Sequence, residues 1–394
     1  MKPHHFILSI VLTILLWSNF YASIEAQTLN KDIFNQRRQK LMEQMDAGIA
    51  IFQNTKIVYR NGDTEYLYRS DSYFYYLTGL DYPEAAFILL PNEDKKFIMF
   101  VQPETPFTSL WRGDIYGVDE ITEVFGADTT FAIDQFDDVM RGYLRGKDKI
   151  YFNIKDKELY DKIHSLVYAS PKEMIDVNQY VHEMRIFKDA EEIKLLRKAI
   201  DITCDGLAEV MKAAEPGMYE YELDAILDYV FRQSGSPRKG FPSIVASGPN
   251  SAVFHYDKND RQIKNGDIIV MDVGAEYGYY TADVTRTLLI NGKFTKEQKE
   301  LYEIVLQAQL AAIEMMVPGN KCFEGFQRAE EVVKEGLYKL GLITDKNSTW
   351  QYKAYYYQYI GHGLGLDVHD VGDYGRYREG GRTLEPGMVF TIEI

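Results

Sequence analysis

Two textures of hydrophobic patterning divide the chain. Early on, apolar residues come in short runs at 49–52, 86–90 and 97–101, set apart by Gly, Asn and Pro. Runs of that length bounded by turn formers predict buried strands. Segments with helical spacing lie around them, at 31–45, 136–145 and 156–167. The mixture predicts an α/β domain over residues 27–178. Beyond it the helical stretches lengthen. Asp189 is placed to cap one of them, with Glu192 three residues later closing a capping box. Ile193, Leu196, Ile200, Cys204, Leu207 and Met211 mark its apolar stripe, and Pro216-Gly217 stops it. Further helices are expected at 221–233, 296–316 and 323–340, with strands at 243–246 and 388–394. This second domain spans residues 179–394, and the fold class is α/β (α+β).

The densest β signal is 268–290, reading IIVMDVGAEYGYYTADVTRTLLI. Two β-rich runs flank Tyr277-Gly278, and a two-residue turn containing Gly suits a tight hairpin. With the turn there, Glu276 faces Tyr279 and Asp272 falls directly opposite Asp283. Opposed residues share a face, with Cβ atoms roughly 4.5–5.5 Å apart, and like charges so placed repel. A cation between them is the natural compensation; a solvated or turn carboxylate is the bland alternative.

Composition narrows the class of partner. An apolar fraction of 46% and a charged fraction of 26% are those of a globular protein. The net charge of −15 disfavours nucleic acid and anionic membrane as partners. Lys2 and the apolar run 6–17 form an export leader too short to span a bilayer comfortably, with cleavage expected after Ala26. An uncleaved anchor is the alternative; with cleavage, the protein is exported (periplasmic or secreted) and keeps no stable membrane association. The two cysteines, Cys204 and Cys322, make no disulfide framework, and the helical register of Cys204 predicts a buried core thiol.

Of the seven histidines, His4 and His5 leave with the leader, and His164 and His182 lie outside the glycine-rich stretches. His255, His362 and His369 fall in such loops or at strand ends. Glycines flank His362, where backbone can approach a ligand closely. A lone histidine of this kind is usually a satisfied structural one. Paired carboxylates with an imidazole, by contrast, suit Mn, Fe, Co or Zn. Glu393 lies in an apolar run where an unpaired charge is costly, although a frayed segment would also accommodate it.

The blocks GPNSAVFHY, MDVGAEYGYYTADVTRT, GHGLGLDVHDVG and LEPGMVFTIE occur in the order and spacing of the pita-bread metallopeptidases, which the chain resembles. In the first domain, Tyr59-Arg60-Asn61, Asp63, Glu65-Tyr66, Tyr68-Arg69 and Tyr76-Leu77-Thr78-Gly79-Leu80 resemble the aminopeptidase P N-terminal domain. HEMRIFKDAEEIKLLRKA is similar to that group's linker and first helix. The resemblance implies a creatinase/aminopeptidase P-type α/β domain followed by a pita-bread catalytic domain. It further implies a metal-dependent Xaa-Pro aminopeptidase acting on proline-containing peptides, and a homo-oligomer. Asp272, Asp283, His362 and Glu393 would hold two divalent metal ions, Mn2+ by resemblance, with Asp283 bridging. Two such ions turn a bridging water into a nucleophile at neutral pH. Glu393 would take the water's proton, His255 would contact the substrate carbonyl or its tetrahedral intermediate, and His369 would line the site.

Two departures qualify the transfer. Gln358 stands where the family usually has a histidine, and glutamine cannot exchange a proton. The family also continues past Ile394 with Pro-Gly and, later, a second bridging Glu that this sequence does not contain. The expectation is therefore a catalytic domain incomplete at its C-terminus, with an unpaired sheet edge, weak metal binding and little activity, beside an active full-length parent. A prolidase cleaving Xaa-Pro dipeptides, and a metal-free pita-bread binding protein, are the alternatives.

Overall fold

The computed structural model describes residues 30–113, 116–167, 172–356, 361–372, 374 and 381–394. The leader at 1–26 and Gln358 lie outside the described residues. The chain divides into two compact units between Met184 and Arg185. The boundary read from the sequence falls at the start of helix Asn178–Ile186, just before this division.

The first unit is a mixed sheet with helices. Its opening helix, Lys31–Gln44, starts where the Asn30 side chain accepts the Asp32 N–H at 3.0 Å. Strands β1 (Ile49–Gln53), β2 (Tyr59–Asn61), β3 (Thr64–Glu65), β4 (Ala86–Leu89), β5 (Phe97–Val101), β6 (Thr129–Ala132), β7 (Lys149–Phe152) and β8 (Glu173–Asp176) follow. All but β2 and β3, which pair as a separate hairpin, join one six-stranded sheet in the order β6-β5-β4-β1-β7-β8. The β1–β4 and β4–β5 pairs are antiparallel, and β1–β7, β5–β6 and β7–β8 are parallel. Ile49, Ile51, Ile88, Phe100, Ile150 and Phe152 bury one face against two helices. Phe136, Met140 and Leu144 of helix Phe136–Leu144 and Leu159, Ile163 and Val167 of helix Lys157–Val167 make that contact. Each set recurs every four residues, the spacing that stacks side chains on one helical face.

The second unit opens on helix Ala190–Ala213, capped as its sequence predicts. The Asp189 carboxylate accepts the N–H groups of Glu191 and Glu192, both at 2.9 Å, and Glu192 reaches back to the Asp189 N–H. Its buried face differs from the expected stripe. Leu195, Leu196, Ala199, Ile202, Thr203, Gly206, Leu207 and Val210 are buried, whereas Cys204 is exposed. The cause is close packing of helix Glu220–Gln233, for a Cβ at Gly206 would lie 2.8 Å from the Phe231 ring. Small residues at the contact, rather than the largest apolar ones, set which way the helix faces.

Strands β9 (Arg238–Lys239), β10 (Ile244–Ser247), β11 (Ile268–Val273), β12 (Ala275–Tyr277), β13 (Tyr280–Thr281) and β14 (Val284–Leu289) follow. They form two small sheets, β10-β11-β14 and β13-β12-β9. Burial alternates along β11, so Ile269, Met271 and Val273 enter the core with Leu223, Leu227 and Phe231. Asp272 lies on the other face. Helices Lys296–Met315 and Cys322–Lys339 pack through Ala308, Ala312, Ala329, Val333 and Leu337. Among the described residues no helix is long and apolar enough to cross a membrane.

Two sequence expectations are corrected here. The hairpin turns on Gly278-Tyr279, not Tyr277-Gly278: Tyr277 pairs with Tyr280, and both turn residues have positive φ, 56° and 73°. That is the primed turn whose twist matches two antiparallel strands. Asp272 therefore pairs with Thr285, and Asp283 sits one pleat along on the same face. The segment 388–394 forms no strand. It makes a bridge between Phe390 and Gly363 and backbone bonds between 389–391 and 362–364, so only this short stretch of backbone faces it among the described residues.

Gly274 marks the bend between the two small sheets. A Cβ there would sit 1.8 Å from the Ala282 carbonyl oxygen across the hairpin. Gly274→Ala must force the strands apart, and we expect it to lower stability by roughly 3 kcal/mol, at the upper end for overpacked sites, measured by urea denaturation against wild type.

Candidate metal centre

Three separate stretches bring donors to one place. Asp283 lies between β13 and β14, where the hairpin has passed its turn and returned. His362 lies in a glycine-rich loop and Glu393 on the extended segment beside it. One ligand atom from each of the three lies within 4.8 Å of the other two. His362 Nε2 is 3.3 Å from Asp283 Oδ2 and 3.0 Å from Glu393 Oε1.

Local chemistry orients each group. His362 Nδ1 contacts the Gly363 carbonyl oxygen at 2.9 Å, so Nδ1 carries a proton and Nε2 faces the carboxylates. Period-two alternation puts Thr391 and Glu393 on one side, while Ile392 and Ile394 pack against the helix cluster. The Thr391 hydroxyl donates to Glu393 Oε1 at 2.6 Å and accepts the His362 N–H at 3.0 Å. Thr391 went unrecognised in the sequence, although its place two residues before Glu393 signals a shared face. Gly361 permits this approach: with φ of 142°, a Cβ would lie 2.0 Å from the Thr391 carbonyl oxygen.

Asp272 adjoins this cluster. Burial, and then the Asp283 charge, raise its pKa from 3.8 to about 7. Its Oδ1 is buried with no hydrogen-bond partner among the described residues. For His362, burial disfavours the imidazolium, but hydrogen bonds to Asp283, Glu393 and the Gly363 carbonyl outweigh it and raise the pKa to about 10. Burial likewise opposes the Glu393 charge, yet bonds from His362 and Thr391 hold that carboxyl below the ordinary range. His369 stacks edge-on against His362 with ring centroids 4.2 Å apart. Burial and then the His362 charge lower its pKa, with a smaller contribution from His255. His255 itself is exposed on its loop. Of the six site residues read from the sequence, Asp272, Asp283, His362, His369 and Glu393 are neighbours.

The donor set fits a divalent metal. Carboxylates with one imidazole suit first-row ions of the Mn-to-Zn series. The orphaned Asp272 oxygen is a buried acceptor that an electropositive group would satisfy. A proton on His362 is the only positive charge these groups share without one.

Comparison with known proteins places this geometry in a family. Residues 194–394 match the model of metallopeptidase family M24, and residues 34–151 that of the aminopeptidase P N-terminal domain. The Xaa-Pro aminopeptidase of Haemophilus influenzae is 35% identical over 371 residues, spanning 93% of this chain and 86% of that protein. The chain belongs to metallopeptidase family M24. The solved structure of aminopeptidase PepP of Pseudomonas aeruginosa superposes with a TM-score of 0.89 at 36% identity, covering 93% of this chain and 86% of that one. A zinc-substituted Escherichia coli aminopeptidase P in complex with product matches at 0.88 and 34% identity, covering 93% and 87%. The expected architecture is borne out: an aminopeptidase P-type domain precedes an M24 pita-bread domain. So is the expectation of a metalloaminopeptidase, a hydrolase.

The pKa shifts give a pH signature for the metal-free M24 protein. Asp272 has its folded pKa raised above 3.8, so its contribution to stability is full below that value and lost as pH rises through about 7. His362 is also raised, so its contribution is full below 6.5 and lost as pH rises through about 10. Asp283→Asn removes the negative charge that repels the first and strengthens the hydrogen bond of the second. Urea melts at pH 5, 7 and 9 should therefore show the variant gaining on wild type with rising pH, by on the order of 2 kcal/mol overall. A parallel pH dependence of the two proteins would refute the coupling.

Proposed function

We propose that this chain is a Xaa-Pro aminopeptidase that removes an N-terminal residue preceding proline, using two divalent metal ions, with Mn2+ as the first candidate. The observation that carries the reading is the convergence of Asp283, His362 and Glu393 within 4.8 Å, beside the orphaned Asp272 oxygen, in an M24 chain. Asp272, Asp283, His362 and Glu393 would hold the metals. When bound, such ions activate water at neutral pH and stabilise developing negative charge.

The chain's own residues do the rest. Glu393, held ionised by Thr391 and His362, takes the proton of the attacking water. His255, on an exposed loop at the rim, donates a hydrogen bond to the scissile carbonyl oxygen as it gains charge. His369 packs against the His362 ring and limits its rotation.

The test is hydrolysis of a Xaa-Pro-Xaa tripeptide by the reconstituted protein, followed by mass spectrometry. We expect release of the first residue. Asp283→Asn should lower kcat/KM at least about 100-fold, since loss of groups one shell further out already costs 10–100-fold. Cleavage of Xaa-Pro dipeptides alone would make the protein a prolidase. Failure to take up Mn2+, Co2+ or Zn2+ would make it a metal-free binding protein.

We also propose that the protein is exported and loses residues 1–26, on the strength of Lys2 followed by the apolar run 6–17. N-terminal sequencing of the mature protein should then begin at Gln27; retention of Met1 would overturn the proposal.

A further inference from the structure

The loop that carries His255 converges on a single buried carboxylate, and we propose that Glu220 is a positioning residue that holds His255 in register with the Asp272-bearing sheet. The inference rests on the role given to His255 above. Glu220 begins helix Glu220–Gln233 and is 0% exposed. Its Oε1 accepts the Ser247 N–H at 2.7 Å, the Ser247 hydroxyl at 2.6 Å and the Asn250 side-chain amide at 3.2 Å. Its Oε2 accepts the Tyr256 hydroxyl at 2.7 Å and the Arg261 N–H at 2.9 Å. Both ends and the middle of the stretch 247–261 are therefore fastened to one group.

The fastening reaches His255 from one side and the metal-centre strands from the other. Tyr256 is buried against Ile244 and Ala246, while His255 immediately before it is exposed. Anchoring the phenol thus fixes the backbone from which the imidazole projects. Ser247 ends β10, whose Ile244 pairs directly with Asp272 of β11. The Arg261 guanidinium bonds the Ser247 hydroxyl at 2.6 Å and Asp267 at 2.6 Å, closing the loop from its far side.

The chemistry requires an ionised carboxylate at this point. Each oxygen receives one backbone N–H, from Ser247 and from Arg261, and neither donor can turn round. Burial opposes the charge, yet the hydrogen bonds from Ser247, Tyr256 and Arg261 hold the carboxyl below its ordinary range. A glutamine of the same shape must present its NH2 to one of the two backbone donors and leave it unpaired. Tyr256→Phe, in contrast, removes a hydroxyl and leaves both backbone donors satisfied.

The experiment compares Glu220→Gln, Tyr256→Phe and His255→Ala, singly and with Glu220→Gln combined with His255→Ala, in the full chain. In Glu220→Gln, amide exchange over 248–256 should speed by about 10-fold or more, while β11 and helix Ala190–Ala213 stay within about twofold. Tyr256→Phe should show the same local pattern, smaller, and serves if Glu220→Gln does not fold. In metal-loaded protein, Glu220→Gln should lower kcat on a Xaa-Pro-Xaa peptide by about 10- to 100-fold with little change in KM. With His255 already replaced by Ala, Glu220→Gln should lower kcat no more than about twofold further. Unchanged exchange over 248–256, or losses that simply multiply in the double variant, would overturn the proposal. Wild-type kcat in His255→Ala would overturn the reading of His255 itself, and is told apart because the exchange change in Glu220→Gln would persist.

Discussion

Confinement of like charge is the constraint on which the second unit depends. Asp272, Asp283 and Glu393 are held close together with one imidazole among them, and burial weakens the screening around Asp272 and Asp283, while the Glu393 side chain stays 40% exposed. The protein carries this load in two ways. It raises the pKa of Asp272 towards neutrality and that of His362 to about 10, so that protons soften the repulsion. It also braces each group from behind, through the Gly363 carbonyl for His362 and through Thr391 for Glu393. Such an arrangement is costly to build for its own sake and matches a site made to receive cations.

Rigid surroundings keep the donors in place. The glycine-rich loop bearing His362 and His369 is anchored by Asp370, whose two oxygens accept from Arg185 at 2.6 Å and Lys188 at 2.7 Å, all three side chains 1% exposed. Asp367 takes a second bond from Arg185 at 2.7 Å. Two buried cations against two carboxylates balance, so removing either member of a pair strands a charge in low dielectric. Gly365 leaves the room this needs, as a Cβ there would lie 2.3 Å from the Asp370 carboxylate. Glu220 performs the analogous service for the loop that carries His255.

Much of this was legible in the sequence where the signal is local. The capping box at Asp189 and Glu192, the four-residue spacing of Phe136, Met140 and Leu144, and the short apolar runs of β1, β4 and β5 all depend on neighbours a few residues away. The buried face of helix Ala190–Ala213 was not, because Gly206 and Thr203 carry little hydrophobic signal yet sit where another helix comes closest. The hairpin turn was missed by one residue, and the pairing therefore by two, for a comparable reason. Tyr279 adopts positive φ, which its identity argues against and only the twist of the paired strands enforces.

The sequence by itself determined which chemistry is available: carboxylates at 272, 283 and 393, histidines at 255, 362 and 369, and the order of motifs that marks an M24 metallopeptidase. It determined equally that Asp272 and Asp283 share a face, since a strand's period of two survives an error in the turn. Only the tertiary structure decided how near these groups come, which carboxyl is driven towards neutrality, and which residues brace them. Those properties arise from burial and from charges brought together across more than a hundred residues of chain, as when Glu393 acts on Asp272. No local pattern encodes them, because desolvation and Coulomb energy depend on the distance through space.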